Sequence, residues 1–333
     1  MTLNQLRFFV AIADSGLNIT LAAERVHATQ PGLSKQLKQL EDELGFALFT
    51  RKGKSLNSIT QTGEDVLTRA RVILEEARNI RALAANLRNE AEGALRIATV
   101  HTQARFVLPH IIAELRRRYP GVSMHLDPGS QDEILERLRA GSVDVAVFSS
   151  SGSTPAGVFA LAAYRWDRVV VVPRAHALAK LDRPLTLADI AAFPLVSYES
   201  SLNPDSSLPR AFSAAGLAPQ LAFTARDADL IKTYVRAGLG VGILASMAIE
   251  PLDHADLAVL SAAGLFERCT TWIALRRESV VKRYLLEFIA LFAPHLGATT
   301  VRDALVDDTV AQSIVAPLWG ENASPKATVK VCA

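Results

Sequence analysis

Residues 18–44 read NITLAAERVHATQPGLSKQLKQLEDEL, and the fold of the N-terminal part turns on how this stretch is parsed. Leu33, Leu37, Leu40 and Leu44 recur at spacings of four, three and four, the period of one buried helix face. Pro31, Ser34, Lys35 and Lys38 then point outward. Thr29 is a natural N-cap, and Pro31 falls in the first turn, where its missing N–H costs nothing. The helix is expected to begin near Gln30 and to present backbone N–H groups, a Gln, a Ser and two Lys to phosphates and base edges. Before it, Leu21, Ala22, Ala23 and Val26 make a short, small-residued helix that a second helix can cross closely. The pair predicts a helix-turn-helix, although an ordinary helical corner shares the spacing.

The residues just C-terminal to the pair favour the helix-turn-helix. The segment 49–60, FTRKGKSLNSIT, sets Arg51, Lys52 and Lys54 around Gly53 between two short apolar pieces, as in a β-hairpin wing with a basic tip; a solvated basic loop is the alternative. The whole segment 3–54, LNQLRFFVAIADSGLNITLAAERVHATQPGLSKQLKQLEDELGFALFTRKGK, resembles the winged helix-turn-helix of LysR-type transcriptional regulators. Ala-Ala-Glu, Gln-Pro-Gly-Leu-Ser and Leu-Glu-Asp-Glu-Leu-Gly all occur at that family's spacing. The candidate DNA-contacting residues are Thr29, Gln30, Pro31, Ser34, Lys35, Lys38, Arg51, Lys52 and Lys54, with promoter DNA as the partner.

With 333 residues the chain has room for two or three domains, and a 50% hydrophobic share supports filled cores. A net charge of +2 advertises no global affinity for nucleic acid, so any such affinity rests on a local patch. Cys269 and Cys332 form no CxxC and no His cluster accompanies them, so neither a disulfide framework nor a zinc site is suggested. The chain opens on an amphipathic helix rather than a signal peptide, and no apolar run is long enough to span a bilayer, so a cytoplasmic protein without membrane contact is expected.

Thr2 and Gln5 form a capping-box pattern, and Leu3, Leu6, Phe9, Val10 and Ala13 the apolar stripe of a first helix. After the wing, 62–91 suits one helix of about 45 Å at 1.5 Å per residue. Val66, Ala70, Ile73, Ala77, Ile80, Ala84 and Leu87 alternate spacings of four and three, a heptad seam that predicts a partner helix from a second copy. Packing on its own domain is the other reading of that seam. From Gly93 the texture changes to strands, expected at 95–99, 122–126, 143–148, 168–172, 195–198, 241–244 and 271–275. Helices are expected between them at 106–118, 131–139, 187–193, 208–214 and 229–237, which argues for α/β with largely parallel sheets.

The resemblance implies the rest of the architecture. The class is α/β, with an N-terminal winged helix-turn-helix (1–61), a dimerising linker helix (62–92) and a two-lobed effector domain similar to periplasmic binding proteins (93–296). Lobe one would take 93–165 and 267–296, and lobe two 166–266. The tail 297–333 has room for one amphipathic helix at 299–315, and 322–333 reads as a flexible end.

The most chemical stretch of the second half runs from Thr99 to Arg105, where a strand ends and a helix begins. Free N–H groups, with Thr102 and Gln103 as side-chain donors, would suit a small anion; Thr102 as a mere helix cap fits equally. His101 reads as a packed neutral histidine, and Arg105 as either an anion neighbour or a surface residue. IATVHTQARFVLP, YRWDR and DADLIKTYVRAGLGVGILASMA closely resemble the CysB subfamily of LysR-type regulators, which governs cysteine biosynthesis and sulfur or sulfonate assimilation. In that subfamily Thr, Gln and Trp residues of these motifs hold sulfate or its mimic, which implies Thr102, Gln103 and Trp166. Ser149 stands where the subfamily has Thr and keeps the hydroxyl. Val100 replaces a Thr beside the site, and Asn203 falls where another Thr would be.

The effector classes implied are sulfate, adenylyl sulfate and an acetylserine-like molecule; the Val100 departure favours a sulfonate-directed branch over the cysteine regulator proper. A homodimer or homotetramer and RNA polymerase complete the expected partners, with no cofactor, metal or catalytic residue. A regulator of an unrelated pathway and a sulfate-binding transport component are the rival readings. Catalysis has little support: Gly238, Gly240 and Gly242 lie between a helix and a strand, the reverse of the dinucleotide fingerprint, and no Ser-His-Asp arrangement or G-x-S-x-G is present.

Overall fold

The computed structural model describes residues 1–320 except 54, 89–91, 153, 155, 156 and 205. Lys54, Cys332 and the end at 322–333 therefore lie outside the described residues. The chain divides into two compact units, Met1–Glu90 and Ala91–Ala333.

In the first unit, α1 (Leu3–Asp14) starts at a complete capping box: Thr2 Oγ1 accepts from the Gln5 N–H at 3.2 Å and Gln5 Oε1 from the Thr2 N–H at 2.8 Å. Its buried face is Leu6, Phe8, Phe9 and Ile12, rotated from the expected stripe, with Leu3 left exposed. Asn18 caps α2 (Ile19–Arg25), and Thr29 caps α3 (Gln30–Leu44) through the Gly32 N–H at 3.3 Å. Leu33, Leu37 and Leu40 are fully buried against α1, and Gly45 ends the helix at φ 79°, a conformation that suits glycine. Strands β1 (Phe49–Lys52) and β2 (Ser55–Ile59) pair antiparallel as a hairpin. α4 (Gln61–Leu87) begins at Thr60, whose Oγ1 accepts from the Gly63 N–H at 2.9 Å; a Cβ on Gly63 would meet Leu48 O at 2.2 Å. The seam on α4 divides. Val66 and Ala70 pack into the core of this unit, whereas Ile73, Ile80 and Leu87 are exposed.

The second unit begins with β3 (Glu92–Thr99), α5 (His101–Phe106), α6 (Leu108–Arg118), β4 (Gly121–Pro128), α7 (Gln131–Arg139), β5 (Val145–Ser151) and β6 (Phe159–Trp166). The chain then crosses at Asp167 into β7 (Arg168–Pro173), α8 (Leu187–Ala191), β8 (Leu195–Tyr198), α9 (Ser207–Ala214), β9 (Leu221–Ala225), α10 (Ala228–Arg236), β10 (Val241–Ala245) and β11 (Leu257–Ser261). It returns as β12 (Cys269–Leu275) and closes with α11 (Arg283–Phe292), α12 (Ala298–Val306) and α13 (Asp308–Ser313). One sheet has the order β4-β3-β5-β12-β6 and the other β11-β7-β10-β8-β9.

The sheets are mixed, not largely parallel. β3 pairs parallel with β4 and β5, and β8 with β9 and β10, but β12 and β7 run antiparallel to all their partners. The reason is topological: strands that carry the chain between sheets enter from the opposite end. β6, β9 and β11 were not expected; the alanines of FALAAYRW and LAFTA explain the first two, since Ala has little strand preference. The helix expected at 106–118 is found as α6 from Leu108, with Pro109 in its first turn, where the missing N–H costs nothing, and α5 precedes it as a separate helix. Gly240 and Gly242 serve packing, since a Cβ would meet Pro194 O at 2.2 Å and Val171 Cγ2 at 2.4 Å respectively.

Residues 297–320 are built into the first sheet's core. The helix expected at 299–315 divides at Asp307, whose Oδ1 accepts from the Thr309 N–H at 2.9 Å, and Val301 and Ala304 are fully buried. Beyond it, Pro317 O accepts from the Arg165 N–H at 2.8 Å and the Trp319 N–H donates to Arg165 O at 2.7 Å, covering the edge strand β6.

Candidate nucleic-acid interface and ligand cleft

On the first unit, α3 exposes Gln30, Pro31, Lys35 and Lys38, with Ser34 half-buried. Gln30 Nε2 donates to Ser34 Oγ at 3.2 Å, so the two polar side chains are presented as a pair. An open groove of about 930 Å³ runs between α3 and the hairpin, lined by Ser34, Lys35, Lys38 and Arg51 together with Glu41 and Asp42. Glu41 fixes its geometry. Its Oε1 accepts from the Leu48 N–H at 2.9 Å and the Phe49 N–H at 3.3 Å, and its Oε2 from Arg51 Nη2 at 3.0 Å. Arg51 therefore spends part of its charge holding the hairpin to α3, which narrows the expectation of a free basic tip; Lys52 is exposed there. Thr29 Oγ1 is an acceptor for the cap, so its hydroxyl hydrogen and one acceptor site remain for an outside partner.

In the second unit a cleft of about 520 Å³ opens between the two sheets. Val100, Thr102, Gln103, Ser149, Trp166 and Asn203 all line it, as does His101. Its inner wall is organised by Thr271 on β12, which is fully buried. Thr271 Oγ1 accepts from Gln103 Nε2 at 3.3 Å and from Trp166 Nε1 at 3.1 Å, and shares a hydrogen with Ser149 Oγ at 2.9 Å. A hydroxyl has two acceptor sites and one hydrogen. Both acceptor sites are taken, so the Thr271 hydrogen goes to Ser149, and the Ser149 hydrogen is not spent on Thr271.

Gln103 is 1% exposed, and the Tyr164 hydroxyl donates to its Oε1. Burial pushes the Tyr164 phenol up, so it stays a donor at neutral pH. The sequence-based picture of Thr102, Gln103 and Trp166 as free donors is thus revised. The indole N–H and one amide hydrogen are committed to Thr271, and the Thr102 hydroxyl donates to the Tyr198 hydroxyl at 3.3 Å. Thr102 is not a cap either: Val100 occupies that position, without a side-chain hydrogen bond. Arg105 turns away from the cleft's inner wall and joins the lobes, with Nε 3.1 Å from Asp229 Oδ2 and Nη2 3.0 Å from Glu250 Oε2.

Two family models match this chain. Residues 3–64 match the bacterial regulatory helix-turn-helix protein of the lysR family, and residues 88–297 the LysR substrate binding domain. The chain belongs to the LysR family of transcriptional regulators. This LysR regulator is 42% identical over 304 residues to the HTH-type transcriptional regulator CysB of Haemophilus influenzae, covering 91% of this chain and 94% of that one. With SsuR of Burkholderia cenocepacia it shares 35% over 305 residues, covering 92% and 99%. The crystal structure of the cofactor-binding domain of the Cbl transcriptional regulator superposes with a TM-score of 0.61 at 32% identity, covering 66% of this chain and 95% of that one. These relatives are regulators and not enzymes, and no described helix of this LysR regulator is long and apolar enough to cross a membrane. The helix-turn-helix match over residues 3–64 sets a transport component aside.

Among the residues that escaped the sequence reading of this LysR regulator are Arg168 and Tyr198, which line the cleft, and Tyr164 and Thr271, buried behind its wall. Tyr164 and Arg168 are the first and last residues of YRWDR, so that motif was the available signal; Thr271 and Tyr198 look like ordinary strand residues until the sheets assemble.

Proposed function

We propose that this LysR regulator controls sulfur-assimilation genes, for cysteine biosynthesis or sulfonate and sulfate-ester use, in response to a small sulfur-related anion in the cleft between its sheets. The observation that supports this most directly is convergence. Val100, Thr102, Gln103, Ser149, Trp166 and Asn203, drawn from distant parts of the chain, line one cleft. The relatives CysB and SsuR support the same regulon. Val100 lacks the hydroxyl that the CysB-like pattern places there, which favours a sulfate-like starvation signal over an acetylserine-like inducer.

The regulator would act in the cytoplasm as a homodimer or homotetramer joined through the exposed part of α4, with two heads on adjacent promoter half-sites and RNA polymerase as a further partner. Lys35 and Lys52 would contact phosphates, while Gln30, Ser34 and Lys38 face base edges, with Thr29, Pro31 and Arg51 shaping the approach. Ligand in the cleft would change lobe geometry and so the spacing of the heads. The test is a titration of sulfate, adenylyl sulfate and acetylserine against a promoter complex on sulfur-assimilation fragments. A shift with sulfate or adenylyl sulfate is expected; a response to acetylserine alone overturns the sulfonate-branch reading, and no preference for any such fragment overturns the regulon.

A further inference from the structure

The cleft holds a cation beyond the six residues proposed to surround the effector. Arg168 opens β7 at the crossing between sheets and lines the cleft. Its Nη1 donates to Cys269 Sγ at 3.2 Å, and its guanidinium lies 5.9 Å from the Trp166 ring centroid and 5.8 Å from that of Phe266. Neither the thiol nor the rings carry a formal negative charge, since burial pushes the Cys269 thiol up. Among the described residues the contacts of the Arg168 guanidinium are this thiol and these rings, with no carboxylate paired to it. The other guanidinium on the cleft, Arg226, is paired with Glu199 at 2.7 Å.

A half-buried guanidinium without a counter-ion is costly unless an anion completes it. Tyr198, facing the same cleft, offers a second donor. Its hydroxyl accepts from Thr102 Oγ1 and from the Ala245 N–H, both at 3.3 Å, so its own hydrogen is left for the cleft. Burial raises the Tyr198 phenol, which keeps that hydrogen in place at neutral pH.

We propose that Arg168 and Tyr198, both on the second sheet, are effector-binding residues that work with Ser149 of the first, and that together they take the fully ionised oxyanion of a strong acid: a sulfate, sulfonate or sulfate ester. Arg168 supplies the charge, Tyr198 and Ser149 each one hydrogen bond, and the anion is held from both lobes at once. This rests on the reading of the cleft as an effector site. The rim carboxylates do not cancel it, because Asp132 is exposed and Glu199 is paired.

Calorimetric titration of sulfate and methanesulfonate into the full-length dimer or tetramer, at low and moderate salt, tests the assignment. Arg168→Gln is expected to weaken sulfate by about tenfold or more, Arg168→Lys to recover part of the loss, and Tyr198→Phe to weaken it by a few-fold. Thermal unfolding without ligand checks that each variant is folded, and Tyr198→Phe, which keeps the ring, serves if Arg168→Gln does not fold. Sulfate binding within twofold of wild type for both Arg168→Gln and Tyr198→Phe overturns the assignment while leaving the cleft reading intact. Failure of the wild-type protein to bind either anion overturns the cleft reading, and this inference with it.

Discussion

At Val100 the proposed anion site presents an apolar side chain where a hydroxyl would add a donor. It lines the cleft at the start of α5 and offers no donor, whereas hydrogen bonds to charged groups contribute roughly 1.5–3 kcal/mol. Val100→Thr is expected to tighten sulfate by about tenfold or more in equilibrium titration; unchanged affinity would show that the residue stands away from the anion. A second residue sets acid stability. Asp253 is buried between Lys232 Nζ, at 2.9 Å, and Arg236 Nη2, at 2.9 Å. Burial alone would raise its carboxyl, but hydrogen bonds from the Glu250 N–H, Lys232 and Arg236 outweigh that and hold it below the usual 3.8. A folded value below the unfolded one stabilises the protein above the unfolded value, and that contribution disappears as pH falls through the folded one. Asp253→Asn should therefore lower the melting temperature at pH 7 and flatten its decline below about pH 4. Parallel melting-temperature profiles for variant and wild type would refute this.

At the scale of elements, α3 was legible because every local cue agreed: the Thr29 cap, Pro31 in the first turn, three fully buried leucines and Gly45 at the end. Its outer face separates two kinds of contact. Lys35→Ala should weaken binding to specific and random duplex about equally and reduce the salt dependence, while Gln30→Ala should alter base preference at moderate salt. Gel-shift titrations on both duplexes decide between them, and equal effects from the two substitutions would defeat the division of labour. The first helix was less legible. Phe8 and Ile12 are buried instead of Leu3, because the face that packs depends on where α3 and α4 cross α1, which its own periodicity leaves open.

For the whole molecule, the seam of α4 divides into a packed and an exposed half. Its first turns complete the core of their own unit, while Ile80 is 67% and Leu87 85% exposed. Such a stripe on a long helix asks for a second copy. Ile80→Glu with Leu87→Glu is expected to lower the mass seen in sedimentation and to abolish cooperative promoter binding; an unchanged mass would place the subunit contact elsewhere.

The helical head, the alternation of strands and helices, and the motifs that meet at the cleft follow from local sequence, because caps, periodicity and turn residues act over a few positions. Only the tertiary structure decided the sheet pairings, the packing of 297–320 against β6, and the direction of hydrogens around Thr271. Gln103 and Thr271 are 168 positions apart, and Ser149 and Thr271 are 122 apart. No local pattern carries information over such distances. Which donors are spent inside the wall and which remain for a ligand is settled only when the strands that carry them lie side by side.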